Sequence, residues 1–208
     1  MSLICHYVDG SPFARMVRVL SRELALDMEE IEVTDFPPPP GFFDLNPLGQ
    51  VPVVMRDGTA LFPTEIALAA LLQQRTRPSS WGSDRNPSLA DRQTLSVILA
   101  LGDQIASLRY RDWAGLAPSG PNRLGFDLDK RALERIAATL DWLEARIGAT
   151  GFSDDDICLA DIALVCLLLW TESRGPIAWR GRPGIEAMVG RMAARDSFAE
   201  TTPRPWAG

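Results

Sequence analysis

The stretch Ile157–Trp170, ICLADIALVCLLLW, constrains the fold of this chain more than any other. It is apolar on nearly every side of a helix, and such a helix is stable only where neighbours cover it all round. A bilayer span needs about 20 apolar residues; this run is shorter and carries Asp161. It therefore predicts a central, buried helix. The surrounding sequence supplies partners of the same kind. Leu95, Ile98, Leu99, Leu101, Ile105 and Leu108 mark one long amphipathic helix. DKRALERIAATLDWLEARIG marks another, closed by Gly148, and GIEAMVGRMAAR a last one.

The first part of the chain has a different period. LICHYV (Leu3 to Val8) reads as a strand, and Phe13, Met16, Val17, Leu20 and Leu24 then recur at helical spacing. MEEIEVTDF offers a second strand with Ile31 and Val33 on one face. Pro37 to Pro40 form an extended loop, since consecutive prolines sustain neither ladder nor helix interior. QVPVVMRDGTALF reads as a hairpin, Val51 to Met55 and Thr59 to Phe62 around an Asp57-Gly58 turn. TEIALAALLQQ is a third helix with Thr64 as N-cap. RTRPSSWGSDRNPS separates the two patterns. The predicted organisation is an α/β domain over 1–77, a linker over 78–87 and an all-helical domain over 88–208.

Charge and cysteine usage narrow the function classes. The chain has 208 residues, a net charge of −6 and a pI near 4.9. An acidic protein lacks the basic face that nucleic-acid binding needs, while a local site for a small anion remains open. The N-terminus has no basic n-region and no long apolar segment, so a soluble cytoplasmic protein without membrane contact is expected. Cys5, Cys158 and Cys166 form no C-x-x-C and no Cys/His ligand spacing. Neither a disulfide framework nor a metal site is expected, and the three thiols read as inert, in apolar surroundings. His6 is the single histidine, and its place on the first strand reads as structural. The acidic run Asp154 to Asp156 reads as a solvated loop ahead of a helix rather than a metal site.

GSPFARMVRVL raises the chemical question. Ser11 precedes Pro12 at the mouth of an amphipathic helix. One reading is a plain cap, with Ser11 at N-cap and Pro12 at the first helical position. The other is an anion- and thiol-binding site, because a helix N-terminus carries partial positive charge and unpaired N–H groups. The residues alone leave both open.

Five segments in order, SPFARMVRV, NPLGQVPVV, LFPTEIALAALL, CLADIALVCLLLW and MAARDSFAETTPRPW, resemble the cytosolic glutathione transferases. The nearest resemblance is to the small bacterial branch that uses serine in the first loop. It implies a thioredoxin-like domain with a mixed four-stranded sheet, a helical domain, a homodimer, and glutathione as co-substrate in detoxification. Ser11 would donate a hydrogen bond to the glutathione sulfur. A free thiol titrates near about 8.5, and a nearby helix N-terminus lowers that value. Phe13 would pack near the cysteinyl part, or serve only the helix core. Val51, followed by a cis Pro52, would offer its N–H and C=O to the peptide backbone of glutathione, as a strand does. Gln50 would hold the glycyl end, or stand in solvent. Thr64 and the third helix would receive the γ-glutamyl carboxylate.

Two positions depart from that pattern. Pro63 stands where the family has an acid, and Glu65 lies one place late for the ammonium group. Cys158 stands where a hydroxyl caps the central helix, leaving Asp161 to bond back to donors near Asp156 or Ile157, a structural role. Arg109, Tyr110 and Trp113 line the second-substrate pocket, or else pack in an interdomain or dimer contact. The expected activity is conjugation or thiolysis of small hydrophobic electrophiles by the glutathione thiolate. The alternatives are a weak or non-catalytic binding protein on the same fold, and a glutathione-dependent isomerase or dehalogenase.

Overall fold

Alternating apolar positions near the N-terminus become a sheet because one face has helices to bury against. The computed structural model describes residues 2–34, 39–74, 87–116, 120–153, 156–175 and 177–205. Four strands, β1 (Leu3–Tyr7), β2 (Glu29–Glu32), β3 (Val53–Arg56) and β4 (Thr59–Leu61), lie in the order β2-β1-β3-β4. β1 and β2 run parallel, and β3 runs antiparallel to both its neighbours. A parallel pair requires a crossover, which α1 (Pro12–Glu23) supplies. The β3–β4 turn has positive φ at both Asp57 and Gly58, 48° and 84°, the geometry that matches strand twist. Ile31 is 37% exposed, because β2 is an edge strand with little over that position.

Two short helices and one long one complete the first half of the chain. α2 (Phe42–Leu45) has only four residues, too few to show a period in the sequence. α3 (Thr64–Leu72) begins one residue earlier than the sequence suggests. Its N-cap is Pro63, in extended backbone, and Thr64 is the first helical residue. α4 (Leu89–Trp113) is the long helix after the change of pattern, opened by a Ser88/Asp91 capping box. Most of the expected linker, and Pro37 and Pro38 of the proline run, lie outside the described residues.

The remaining helices are α5 (Leu128–Glu144), α6 (Leu159–Arg174), α7 (Pro183–Ala193) and α8 (Asp196–Ala199). α6 is the predicted central helix: it is buried continuously from Leu159 to Leu168 and packs on α1, α4 and α7. Each large apolar side chain so buried contributes about 1.5–3 kcal/mol, which makes α6 the centre of stability. α5 ends at Glu144 with Ala145 as its C-cap, so Gly148 does not close it. The Gly148 N–H instead bonds the Gly151 carbonyl at 2.7 Å, closing the loop that leads to α6.

That loop seals the start of α6. The Asp161 carboxylate is fully buried and accepts from the N–H groups of Cys158 and Phe152, both at 3.0 Å. The Cys158 donor, next to Ile157, is of the expected kind, and Phe152 is an additional partner from farther upstream. The sulfur of Cys158 occupies the hydroxyl's place, and both halves of the capping box are present. Gly151 has φ +137°, and a Cβ there would stand 2.5 Å from Asp161 Oδ1, so only glycine lets the loop close on the carboxylate.

The far end of the chain ties down α1. Arg15 Nη2 donates to the Phe198 carbonyl at 2.9 Å, and Arg195 makes a two-pronged pair with Glu23 at 2.9 Å on each arm. The Arg204 N–H reaches back to Asp9 at 2.8 Å, in the loop before Ser11. Helix α1 is thus held at both ends by residues from the other half of the molecule.

Candidate functional site

Strand register brings three of the expected residues to one end of the sheet. His6 pairs with Val53, and Val54 with Leu61. The end of β1, the start of β3 and the end of β4 therefore lie at one end of the sheet. The Ser11 N–H bonds the Val8 carbonyl at 2.9 Å, which turns the chain from β1 into α1 at the same end. Ser11 follows β1, Val51 precedes β3 and Thr64 follows β4, so all three belong to the same end of the sheet, the rim where α1, β3 and α3 begin.

Ser11 is the N-cap of α1, with its Oγ accepting from the Ala14 N–H at 3.2 Å. Capping uses a lone pair of the hydroxyl and leaves its proton available for donation. The plain and the chemical readings of GSPF are thus compatible at one residue. Phe13, two residues on, meets the long helix. Its ring lies over Gly102 of α4, where a Cβ would stand 2.8 Å from Cζ, so the ring fills the seam between α1 and α4.

The Val51–Pro52 bond is cis. Among the described residues, neither the N–H nor the C=O of Val51 has a hydrogen-bond partner. The segment before it is braced from within. Asn46 is 1% exposed; its Nδ2 donates to the Gln50 carbonyl at 2.8 Å and its Oδ1 accepts from the Leu48 N–H at 3.0 Å. Gly49 has φ +62°, and the Phe43 ring fills the space a side chain would need. The side chain of Gln50 is exposed beside this brace. Asn46 is a positioning residue that sequence reasoning did not single out. An asparagine directly before proline, the usual opening of an Asx turn, is the signal that marks it.

The start of α3 is open. Pro63 offers no side-chain acceptor, and the first N–H groups with protein partners are those of Ile66 and Ala67, both bonded to the Pro63 carbonyl. The N–H groups of Thr64 and Glu65 meet no acceptor among the described residues. The Phe62–Pro63 bond is also cis. Glu65 shares a helix face with Ala69, Leu72 and Gln73, and that face lines a separate cleft of about 590 Å³ against α4 and the segment 152–160.

Arg109, Tyr110 and Trp113 do come together, on the last turns of α4. The Arg109 guanidinium lies 4.7 Å from the Trp113 ring centroid, and Tyr110 meets Trp113 edge-on at 5.6 Å. Tyr110 and Trp113 are exposed. The thiols are remote in chemistry from this rim. Burial drives the pKa of Cys5 up to about 12, with Glu30 adding to the effect. Burial drives Cys166 to about 12 as well, against a small opposing pull from Arg15. Neither forms a thiolate at neutral pH.

Comparison with known proteins agrees with this architecture. The glutathione S-transferase N-terminal domain matches residues 10–68, and the glutathione S-transferase C-terminal domain matches residues 125–187. The GST-like protein YibF of Escherichia coli (strain K12) is 28% identical over 207 residues, covering 98% of each chain. A glutathione S-transferase from Methylobacillus flagellatus, solved with glutathione bound, has the same fold. It superposes with a TM-score of 0.82 at 24% identity, over 98% of this chain and all of that one. A family member from Pseudomonas fluorescens, also with bound glutathione, gives 0.75 at 26% identity over 98% of this chain and all of its own. The two domain matches follow one another in the family's order and together span more than half of the sequence, so the chain belongs to the glutathione S-transferase family.

Proposed function

We propose that this protein is a glutathione transferase of the serine type, in which Ser11 donates a hydrogen bond to the glutathione sulfur. What supports the reading is the set of groups at that end of the sheet: a hydroxyl with its proton available, and a backbone edge and a helix start whose N–H groups meet no acceptor among the described residues. They fit, in order, the thiol, the peptide backbone and the γ-glutamyl carboxylate of glutathione. Val51 pairs with the cysteinyl backbone as an added strand would. Thr64 and the α3 N–H groups receive the carboxylate. Gln50 reaches the glycyl end. The Ser11 hydrogen bond and the α1 terminus favour the thiolate. The thiolate then forms a bond to an electrophilic carbon. Either a leaving group departs with its electron pair, or an adjacent carbon takes that pair and then a proton from solvent.

The family relatives with bound glutathione support the ligand; the electrophile is inferred from the aromatic and arginine lining at Arg109, Tyr110 and Trp113. The same reading assigns residues 1–77 to the glutathione half and 88–208 to the acceptor half. It places the protein in the cytoplasm as a homodimer, with exposed Phe43, Leu48 and Ile66 available for the contact. The test is conjugation of a chloronitroarene with glutathione. Ser11→Ala should lower kcat/KM while glutathione still binds; an unchanged rate would overturn the role of Ser11.

Pro63 favours a second reading, a glutathione-binding protein without turnover. It stands where an acid would hold the ammonium group and supplies no side-chain hydrogen bond. Heat on titration with glutathione, together with no rate above the uncatalysed reaction across a panel of electrophiles, would select that reading.

A further inference from the structure

The segment after α8 turns back over the loop that leads to Ser11. Both backbone groups of Arg204 are engaged there. Its N–H donates to the Asp9 carboxylate at 2.8 Å, and its C=O accepts from Arg174 Nη2 at 3.0 Å. Pro203 and Pro205 flank it, and a residue before proline is held extended, so Arg204 is presented from a stiff stretch of chain. Its guanidinium bridges two carboxylates, Asp9 in the loop, with Nε at 3.4 Å, and Glu32 at the end of β2. The Arg174 guanidinium lies against Gly10, where a Cβ would stand 3.1 Å from Nη1. Asp9, Gly10, Glu32, Arg174 and Arg204 line one cleft of about 390 Å³.

This bridge is a poor device for stability. The Arg204 side chain is 68% exposed, and ion pairs with so exposed an arm add little to a fold. The carboxylates are the more enclosed side, Asp9 at 18% and Glu32 at 25% exposure. Solvent screens such charges less. Asp9 is two residues before Ser11, so their Cα atoms are at most about 7 Å apart. An uncompensated carboxylate at that range works against a second anion held at Ser11. The charged and titratable groups within reach of Asp9 are Tyr7 on β1, Arg15 on α1, Glu32 on β2, Arg174 on α6 and Arg204. Burial raises the pKa of Tyr7, which stays neutral at pH 7. Arg15 is engaged with the Phe198 carbonyl and Thr201. Among the described residues, the ion-pair partner of Asp9 is Arg204.

Resting on the glutathione reading above, we propose that the segment after α8 is a working part of the Ser11 site. Arg204 holds the loop of residues 8–11 in place and offsets the Asp9 charge that would otherwise oppose a thiolate at Ser11. Glu32 takes the other arm of the guanidinium, and the planar fork fixes its direction. Arg204 acts on the sulfur through Asp9 and is therefore a positioning residue.

The test reads the thiol itself, so it does not depend on turnover. Ultraviolet absorbance of the thiolate, followed against pH with glutathione bound, gives the midpoint at which the sulfur loses its proton. Arg204→Gln should move that midpoint up by about 0.5 pH or more, roughly a threefold loss of thiolate at neutral pH. Arg204→Lys keeps the charge and should stay near the intact value. Asp9→Asn keeps an acceptor for the Arg204 N–H, removes the anion, and should move the midpoint down. The double variant Asp9→Asn/Arg204→Gln should return close to the intact protein, because the charge to be offset is gone. An unmoved midpoint in Arg204→Gln, with or without a loss of stability in urea, would reduce the segment to a fastening and overturn the proposal. A double variant that keeps the full upward shift would overturn it as well, since Asp9 would not be the charge that Arg204 offsets. No heat on titration of the intact protein with glutathione would sink the glutathione reading, and this inference with it.

Discussion

Two helices in this chain begin in opposite ways. α6 starts inside the protein, where the buried carboxylate of Asp161 accepts from the N–H of its N-cap, Cys158, and from that of Phe152 in the loop before it. α3 starts behind Pro63, a residue with no side-chain acceptor, and its first two N–H groups meet no acceptor among the described residues. Both termini carry the same partial positive charge, and both suit a carboxylate. At α6 the chain supplies that carboxylate itself, and the terminus serves the fold alone. At α3, on the function proposed above, a ligand supplies the carboxylate. α1 stands between the two, since Ser11 caps it and still has a proton to give.

The largest effect is expected where the sealed terminus is broken. Asp161→Ala strands the buried N–H of Cys158 and the half-buried N–H of Phe152 and should cost about 2–4 kcal/mol of stability, read as a lower midpoint in urea unfolding. An unchanged midpoint would remove the contrast between the two helices. Gly151→Ala should act in the same direction, because the added Cβ collides with the Asp161 carboxylate.

Ser11→Ala comes next. Losing the donor to sulfur should lower kcat/KM about 10- to 100-fold, and losing the cap should cost about 1 kcal/mol of stability. The two losses are separable, since Ser11→Gly costs only a few tenths of a kcal/mol as a cap yet removes the same donor. If the rate follows stability rather than the hydroxyl, Ser11 is a cap and nothing more.

At the open terminus the pattern should invert. Thr64→Ala should change stability by less than about 0.5 kcal/mol, yet weaken glutathione binding about tenfold. A stability loss without a binding loss would make α3 a second structural cap.

The smallest effect tests whether α1 is held independently of any ligand. Glu30 accepts from Arg18 at 2.8 Å and from Arg22 at 2.6 Å. Burial alone would raise its pKa, but the hydrogen bond from Arg22 and the charge of Arg18 bring it below the ordinary value. A carboxylate with a lowered folded pKa stabilises above its unfolded value and loses that contribution as pH falls. Stability should therefore decline as pH drops below about 4.5, and Glu30→Gln should flatten that part of the profile. An identical acid slope in the variant would show that Glu30 contributes nothing.

The same contrast explains what the sequence could show. Features set by local periodicity were legible: the central helix at Ile157–Trp170, the Asp57-Gly58 hairpin, and the Ser11-Pro12 start of α1. The start of α3 was misjudged by one residue because Thr64 is a good cap and Pro63 a poor one, and the ladder from β4 decided the matter. The seal on α6 was half legible. Asp161 was expected to reach back, but its partner at Phe152 depends on the turn at Gly151, nine to ten residues upstream. Arg174 was not legible at all. Its contact with Gly10 joins residues from opposite ends of the chain, and nothing in TESRGP distinguishes it from a solvated helix end.

One measurement goes to the centre of this picture. Intact protein would be titrated with glutathione and with glutathione whose γ-glutamyl α-carboxylate has been converted to the amide. A socket for an external carboxylate predicts clear binding of the first and an affinity about tenfold or more lower for the second. Equal affinities would mean that the start of α3 receives no carboxylate, and that its open donors have another explanation.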